Sequence, residues 1–233
     1  MDRLTRKELK TDKFAVEVQH GVEYVTEHRQ QMALWGAIAA VVVIAVVGWY
    51  IYSNHEHGVR EQKLAEALRI QNSQVGPTSA NPWVLTFPTE EARQKALTTA
   101  LTELATKYSG SEEGTVAQYL LGASAADKGN LGEAERRLRD AVDGKGPYTS
   151  MAKLALARVL ASEGKINDAE SLLRSLIEKP TVFVSKDEAT IVLAQILAPT
   201  RPEEARKLLE PLRTARAAIS KIALTEISSL PRK

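Results

Sequence analysis

The chain has 233 residues and a net charge of +2, and its basic residues alternate with acidic ones, which is untypical of a nucleic-acid-binding surface. Ala, Leu, Glu, Lys and Arg are abundant, whereas aromatic residues make up only 5% of the chain, and this composition favours helices. The chain contains no cysteine, so disulfides, cysteine-ligated zinc and a thiol nucleophile are excluded.

The first segment, residues 1–32, is polar and charge-balanced. Phe14, Val18, Val22 and Val25 recur at helical spacing, which predicts a helix within this tail. Such a helix is either a docking element for a partner or the headgroup surface, or a solvated stalk with a few apolar positions. Both interpretations stay open at this point.

The next segment, residues 33–52, reads ALWGAIAAVVVIAVVGWYIY, twenty residues without a charge. About 20 apolar residues in a helix cross a hydrocarbon core of about 30 Å. Trp35 marks one end and Trp49, Tyr50 and Tyr52 the other, as expected of rings at the headgroup level. A buried core helix rarely lacks a polar stripe over this length, and a signal peptide has a shorter charged region. We therefore predict an uncleaved transmembrane helix.

The orientation of this helix is weakly encoded. Two basic residues lie within twenty positions before it and three lie within twenty positions after it, so the positive-inside rule does not decide. When the Lys and Arg residues are counted over the whole N-terminal tail, residues 1–32, this tail is the more basic side of the span. We predict a cytoplasmic N-terminus.

Residues 53–89 are predicted to form a membrane-proximal helix, over 59–73, and then a loop over 74–89. The loop contains three prolines and a glycine and is long for a compact helical domain. Its apolar residues either contact a partner or lipid, or fold back onto neighbouring helices. These residues are Trp83, Val84, Leu85 and Phe87.

Residues 90–230 read as helix after helix, and three segments in them share one pattern: 129–142, 164–177 and 200–213. In each, an alanine follows an acidic residue and a leucine lies four positions later. The alanines, spaced by 35 and 36 residues, are Ala134, Ala169 and Ala205. Another helix precedes each segment. Paired helices repeating at about 34 residues are the signature of tetratricopeptide repeats, and a small side chain lets the paired backbones approach closely.

The units are degenerate. The first carries Leu121 and Gly122 at the Leu-Gly positions of the consensus, whereas Pro211 lies inside the last second helix and should kink or end it. The stretch 89–110, with the helix before it, is a more divergent unit. Residues 214–230 are predicted to form the capping helix that end repeats require. The predicted fold is all-α: one N-terminal transmembrane helix followed by a tetratricopeptide-like α-solenoid.

The segment LATKYSGSEEGTVAQYLLG (104–122) resembles the junction found in periplasmic repeat proteins. Together with the charged tail, a span ending in GWYIY and degenerate repeats, it makes residues 25–230 similar to the ancillary Sec-translocon subunit family, whose repeat domain is grouped with that of the cell-division coordinator. The resemblance implies an anchor in the bacterial inner membrane, with repeats in the periplasm. It also implies association with the translocon and with periplasmic chaperones.

Candidates for chemistry are few. His55 and His57 are two residues apart, whereas a helical zinc motif needs histidines at i and i+4, so we interpret them as polar residues at the membrane interface. Gly-rich phosphate loops, nucleophile elbows and carboxylate pairs in a predicted cleft are not evident in the sequence. We predict no catalytic, cofactor-binding or metal-binding residues, no small-molecule substrate, and no enzymatic activity.

The first helices of the units are expected to line a concave groove. With Thr115, Ser150 and Lys186 as first positions, the groove side is mixed and partly apolar, and suits hydrophobic segments of unfolded or membrane-bound proteins. These side chains could equally serve helix packing. They are Val116, Tyr119, Ala123, Met151, Leu154, Arg158, Asp187, Thr190 and Ala194.

Two functions remain as hypotheses, and the leading one is implied by the family resemblance. The first is a translocon-associated adaptor that holds partners or emerging chains near the membrane. The second is an envelope scaffold for outer-membrane assembly or cell-division machinery, without contact to client chains. The partner that co-purifies in mild detergent discriminates between them.

Overall fold

The structure, a computed structural model, describes residues 29–77, 81, 84–214 and 217–230. The chain divides into two compact units, Met1–Gly58 and Val59–Lys233. The helix predicted for the N-terminal tail and the role of Trp83 lie outside the described residues.

Helix α1, Arg29–Gln71, contains the predicted span. Every side chain from residue 33 to residue 55 is exposed. A core helix of a soluble domain would bury such side chains, so the apolar stretch is not core packing of this chain. The structure therefore contains an N-terminal helix that is long and apolar enough to cross a membrane.

A short parallel strand pair follows α1. Strand β1, Gln74–Val75, pairs with β2, Thr86–Phe87, in the register Gln74 to Thr86 and Val75 to Phe87. The Gln74 N–H donates to the Leu85 carbonyl at 3.1 Å. This pair adds a small β element to a helical fold. Two-residue strands are too short to show an alternating pattern, so the sequence gives no signal for them.

Helices then alternate with tight turns to the end of the chain. Ser111 and Ser185 are N-cap residues of two of these helices. Each hydroxyl accepts a hydrogen bond from a backbone N–H of the first helical turn. Gly129 and Gly164, at equivalent turns, have φ of +74° and +79°, a conformation that glycine adopts without strain. The elements are α2 (Glu90–Lys107), α3 (Glu112–Asp127), α4 (Leu131–Val142), α5 (Tyr148–Ser162), α6 (Ile166–Glu178), α7 (Lys186–Leu197), α8 (Pro202–Leu209), a 3₁₀ segment (Glu210–Thr214) and α9 (Ala217–Ser229).

From α2 onward each helix packs against the next, and first helices also pack against one another, α3 against α5 and α5 against α7. This arrangement of stacked helix pairs is the predicted solenoid. The three aligned alanines, at the crossings of the second helices, are completely buried, and the leucines four positions later are at most 1% exposed. These residues are Ala134, Ala169 and Ala205, with Leu138, Leu173 and Leu209. The repeat frame is confirmed.

The Leu-Gly position of the first unit has a direct structural reason. A Cβ on Gly122 would lie 2.7 Å from Cγ of Leu138, closer than real Cβ contacts. Leu138 is itself completely buried, so it cannot easily move aside. Glycine at this point allows α3 and α4 to approach closely.

The end of the array also follows the prediction. Helix α8 ends at Leu209, two residues before Pro211, and the chain continues as a 3₁₀ segment, since proline cannot continue the α-helical hydrogen bonding. Helix α9 then closes the solenoid, with Ala223 and Leu230 buried in the main core. A helix thus occupies the position predicted for the capping helix.

The C-terminal part of α1 belongs to the same unit as the repeats. Leu64 and Ala67 pack in one cluster with buried residues of α2 and α3, and Ala67 is completely buried. The Arg93 guanidinium donates to the carbonyl of Gln71 at 2.9 Å, at the end of α1. The residues from Val59 onward therefore supply the first helix of a divergent pair with α2.

Ion pairs link successive second helices at equivalent positions. Lys165 Nζ lies 2.7 Å from Glu135, and Arg201 lies 2.5 Å from Glu170, one repeat later. The Lys165 ammonium, with the Arg139 guanidinium, lowers the pKa of Glu135 to about 2. The repeats are thus joined by charge as well as by apolar packing.

Candidate protein-binding groove

The nine predicted groove residues lie on the first helices of three successive units. Helix α7 begins at Lys186, as expected, whereas α3 and α5 begin at Glu112 and Tyr148, three and two residues before the predicted first positions. The serine cap Ser111 explains the earlier start of α3. The helix assignment of all nine residues is unaffected.

Their accessibility differs. Arg158 is exposed, and Tyr119, Ala123, Met151 and Asp187 are half-buried. The remaining four are buried, with exposed fractions of 8% for three of them and 1% for Ala194. These four are Val116, Leu154, Thr190 and Ala194. These four side chains serve helix packing, which was the alternative interpretation of the predicted set, whereas the first five remain at least partly accessible.

Helix α5 shows why some of the predicted groove residues are accessible and others are buried. Tyr148, Met151, Ala155 and Arg158 follow one another at intervals of three or four residues, so they share a face of the helix, and none of them is buried. Leu154 lies beside this face and belongs to the main core. The accessible face of α5 is therefore apolar along most of its length and basic near its C-terminal end.

Three rings form a continuous row across the units. The Tyr119 and Tyr148 ring centroids lie 5.7 Å apart at an interplanar angle of 57°, and those of Tyr148 and Phe183 lie 5.3 Å apart at 42°. These distances and tilted orientations are favourable for aromatic pairs. We call Tyr119, Tyr148 and Phe183 the aromatic row. It connects α3, the start of α5 and the turn before α7.

Two of these three rings, Tyr148 and Phe183, are absent from the predicted set of groove residues. Tyr148 and Phe183 lie in stretches rich in turn residues, just before or at the start of a first helix, where a loop is expected. Their signal is spacing: the two rings are one repeat length apart. Equivalent positions in neighbouring units stack, so aromatic residues at the repeat period are expected to come together.

The turn that carries Phe183 is held in place by hydrogen bonds. The Thr181 N–H donates to the Val184 carbonyl at 2.9 Å, and the Val184 N–H donates to Thr181 Oγ1 at 3.1 Å. The Thr181 hydroxyl also donates to the Ser150 hydroxyl of α5 at 2.9 Å. Val184 is completely buried. The ring of Phe183 is therefore presented by an anchored turn.

The electrostatics of the groove are mixed. Burial raises the pKa of the Tyr119 phenol, the nearby Tyr148 raises it further, and the charge of Arg158 opposes this shift. Tyr119 is therefore neutral at physiological pH and can donate or accept one hydrogen bond. A surface of rings, a thioether and a single guanidinium suits an extended apolar chain with occasional polar groups.

A cavity of about 410 Å³ lies beside the groove, between the end of α1, α2 and α3. Ala123 lines it, together with the apolar Leu97 and Leu120 and the polar Arg93 and Ser124. Within the described part of the chain, no group of three His, Cys, Asp or Glu side chains lies close enough to hold a metal ion. The lining of the cavity is thus part polar and part apolar, and Ala123 is the only one of the nine predicted groove residues among the residues that line it.

The comparisons with known proteins agree with this geometry. The chain matches the model of the tetratricopeptide repeat-like domain family over residues 28–188, more than half of its length. Repeats of this kind are typically non-catalytic scaffolds for protein interaction. None of the curated proteins and none of the solved structures matches the chain. On the family match and the stacked helix pairs, the chain belongs to the tetratricopeptide repeat-like domain family.

Proposed function

We propose that the chain is an adaptor anchored in the bacterial inner membrane, whose repeats bind protein partners in the periplasm. The N-terminal tail is cytoplasmic, and the adaptor associates with the Sec translocon and with periplasmic chaperones or unfolded clients. The observation that carries this proposal is the aromatic row beside the accessible face of α5. It offers an apolar contact surface on the side of the solenoid where first helices meet.

The composition of this surface favours a protein ligand over a small molecule. The aromatic row connects three successive units, which favours an extended peptide segment as its ligand. A ligand ring that pairs with one of these rings would contribute about 0.5–1.5 kcal/mol beyond the area that it buries. Three rings, Met151 and one guanidinium therefore support modest affinity, about micromolar, because a flexible client is ordered on capture.

The helix Arg29–Gln71 supports the anchoring part of the proposal. A tether in the membrane raises the local concentration of the repeats around other membrane proteins, without adding any contact. Modest intrinsic affinity is then sufficient for stable association with a membrane-embedded partner such as the translocon. The orientation rests on the basic tail and on the family resemblance.

The test removes two half-buried candidate groove side chains that pack against the edge of the core. Tyr119→Ser combined with Met151→Ser should reduce the amount of translocon subunits and chaperones that co-purify with the full chain in mild detergent. A matched control pair is Ile222→Ser with Leu224→Ser on α9, since these apolar side chains are 47% and 46% exposed and lie outside the groove. Circular dichroism should show unchanged helicity for both pairs.

Two results would contradict the proposal. Undiminished co-purification with the groove pair would show that the groove is structural and that recognition lies elsewhere in the chain. Co-purification of outer-membrane assembly or division proteins, with no translocon or chaperone, would replace the adaptor with an envelope scaffold.

A further inference from the structure

The accessible face of α5 carries a guanidinium without a carboxylate partner. Exposed arginines of the second helices are paired with glutamates one turn away, as Arg139 is with Glu135 and Arg174 with Glu170, both at 2.6 Å. Arg158 is exposed as well, but it forms no ion pair with a carboxylate of the described part of the chain. Its own helix provides none, because the residues three and four positions away are Leu154, Ala155, Ala161 and Ser162.

Small side chains flank Arg158 at the equivalent positions of the neighbouring units. Ala123 lies 35 residues before it and Ala194 lies 36 residues after it, which are the spacings of the aligned alanines. Equivalent positions of stacked units lie side by side, so the first helices on both sides of α5 carry alanine at this level. Neither alanine is long enough to cover the guanidinium. An extended chain can therefore cross the groove here and reach Arg158.

The position of Arg158 along α5 sets its distance from the aromatic row. Tyr148 lies ten residues earlier on the same face, about 15 Å along the helix axis. A long helical side chain leans toward the N-terminus of its helix, so the guanidinium lies nearer to the rings than its Cα does. Burial raises the pKa of the Tyr119 phenol and the charge of Arg158 opposes this shift, which agrees with their proximity. An extended chain, at about 3.3 Å per residue, covers about 10–15 Å with three to five residues.

We propose that Arg158 binds an aspartate or glutamate side chain of the client, about three to five residues from an apolar side chain that contacts the aromatic row. This inference rests on the proposed function, because it names the chemistry of the segment that the same groove binds. The carboxylate belongs to a side chain rather than to the end of a chain, since Ala123 and Ala194 leave the groove open on both sides of Arg158.

The acidic groups of the groove restrict where such a carboxylate binds. Asp187 is a half-buried groove residue, and Asp127 is exposed and, besides burial, raises the pKa of Tyr119. Both repel a carboxylate that lies beside them. An acidic residue of the client is therefore favoured at Arg158 and disfavoured next to Asp127 or Asp187, and its pairing with Arg158 determines which apolar side chain of the client meets the rings.

The test uses fluorescently labelled peptides whose ends are acetylated and amidated, so that they carry no terminal charge. Each has a central phenylalanine, with a variable residue four positions before it and another four positions after it, because the chain direction in the groove is open. The variable residues are aspartate, asparagine or lysine. Binding to the full chain in lipid nanodiscs is measured by fluorescence anisotropy, with empty nanodiscs as the background. The aspartate peptide should bind about 2–5-fold more tightly than the asparagine peptide, as expected of an exposed ion pair, and the lysine peptide should bind most weakly.

Variants of Arg158 then test whether its charge selects the peptide. Arg158→Gln should abolish the preference for aspartate, and Arg158→Glu should reverse it, so that the lysine peptide binds more tightly than the aspartate peptide. Lys207→Glu is the matched control: Lys207 is an exposed cation on the second helix α8, its substitution changes the net charge equally, and the preference should stay. Added salt should reduce the preference of the wild type. A residue that only supports the fold does not exchange one preference for the other.

The outcomes separate this inference from the proposed function. Equal binding of the aspartate and asparagine peptides to the wild type, or an unchanged preference in Arg158→Glu, would overturn the role of Arg158 while the groove remains a site for apolar clients. Tight binding of a peptide with a free terminal carboxylate, without preference for the blocked aspartate peptide, would assign the guanidinium to chain ends instead. If none of the peptides binds, the inference and the proposed function of the groove fail together.

Discussion

Substituting Gly122 by alanine tests the close approach of α3 and α4 on which the repeat frame depends. The added Cβ would lie 2.7 Å from Cγ and 2.9 Å from Cδ2 of Leu138, which is completely buried. Overpacking a buried site costs about 1–3 kcal/mol. The higher helix propensity of alanine offsets about 1 kcal/mol of that cost. The net effect should be a destabilisation of about 1 kcal/mol.

Gly132 in α4 provides the matched control, because a Cβ built there meets no atom within 4 Å. Gly132→Ala should stabilise the protein by about 0.5–1 kcal/mol, since it gains helix propensity without a steric cost. The two alanine variants should thus differ by about 2 kcal/mol. For a folded unit of this size, a change of 1 kcal/mol in the free energy of unfolding shifts the melting temperature by about 2–4 °C. The melting temperatures of the two variants should therefore differ by about 4–8 °C.

The assay is thermal unfolding of the full chain in mild detergent, followed by circular dichroism at a helical wavelength. Wild-type protein should melt between the two variants. If Gly122→Ala melts at or above Gly132→Ala, the crossing of α3 and α4 is not tight, and the structural reason given for the Leu-Gly position is refuted.

Three further predictions concern other parts of the chain. Ala169→Trp should unfold more readily than wild type by at least about 1–3 kcal/mol, because Ala169 is completely buried at a helix crossing; an unchanged melt would place this alanine outside a crossing. Glu135→Gln should lower the melting temperature at pH 7, and this difference should shrink as the pH falls from the ordinary glutamate pKa of 4.5 toward about 2. The sign follows because a depressed folded-state pKa stabilises the protein only while the carboxylate is ionised; a difference that persists at the lowest pH would exclude the ion pair with Lys165 as its cause. A reporter active only outside the cytoplasm, fused after Lys233, should be active, and a stable but inactive fusion would reverse the orientation.

Most of the fold is predicted by the repeat period of the sequence. The buried alanines at Ala134 and Ala169 repeat at the unit length, and that period alone predicts paired helices and their stacking. The end of α8 before Pro211 follows from the geometry of one residue. The β1–β2 pair could not be predicted, since it depends on a loop folding back through backbone hydrogen bonds that no side-chain pattern encodes.

The accessible residues of the candidate groove could be predicted only in part from the sequence. Helical spacing predicts Tyr119 and Met151 on the groove side of their helices, and both side chains are half-buried. It could not distinguish them from Leu154, which the neighbouring helices bury. The contact of Tyr148 with Phe183 arises between a helix start and a distant turn, so it requires the tertiary packing of two units.

The most direct test of the central claim is site-specific photo-crosslinking in intact membranes. A photo-reactive amino acid replaces Tyr119 in the groove, and in the control it replaces Ser171, which is exposed on the second helix α6. The adaptor account predicts crosslinks from position 119 to translocon subunits or periplasmic chaperones, and none to them from position 171. Crosslinks to these proteins that are equally strong from both positions, or absent from position 119 while the chain is folded and membrane-bound, would contradict it.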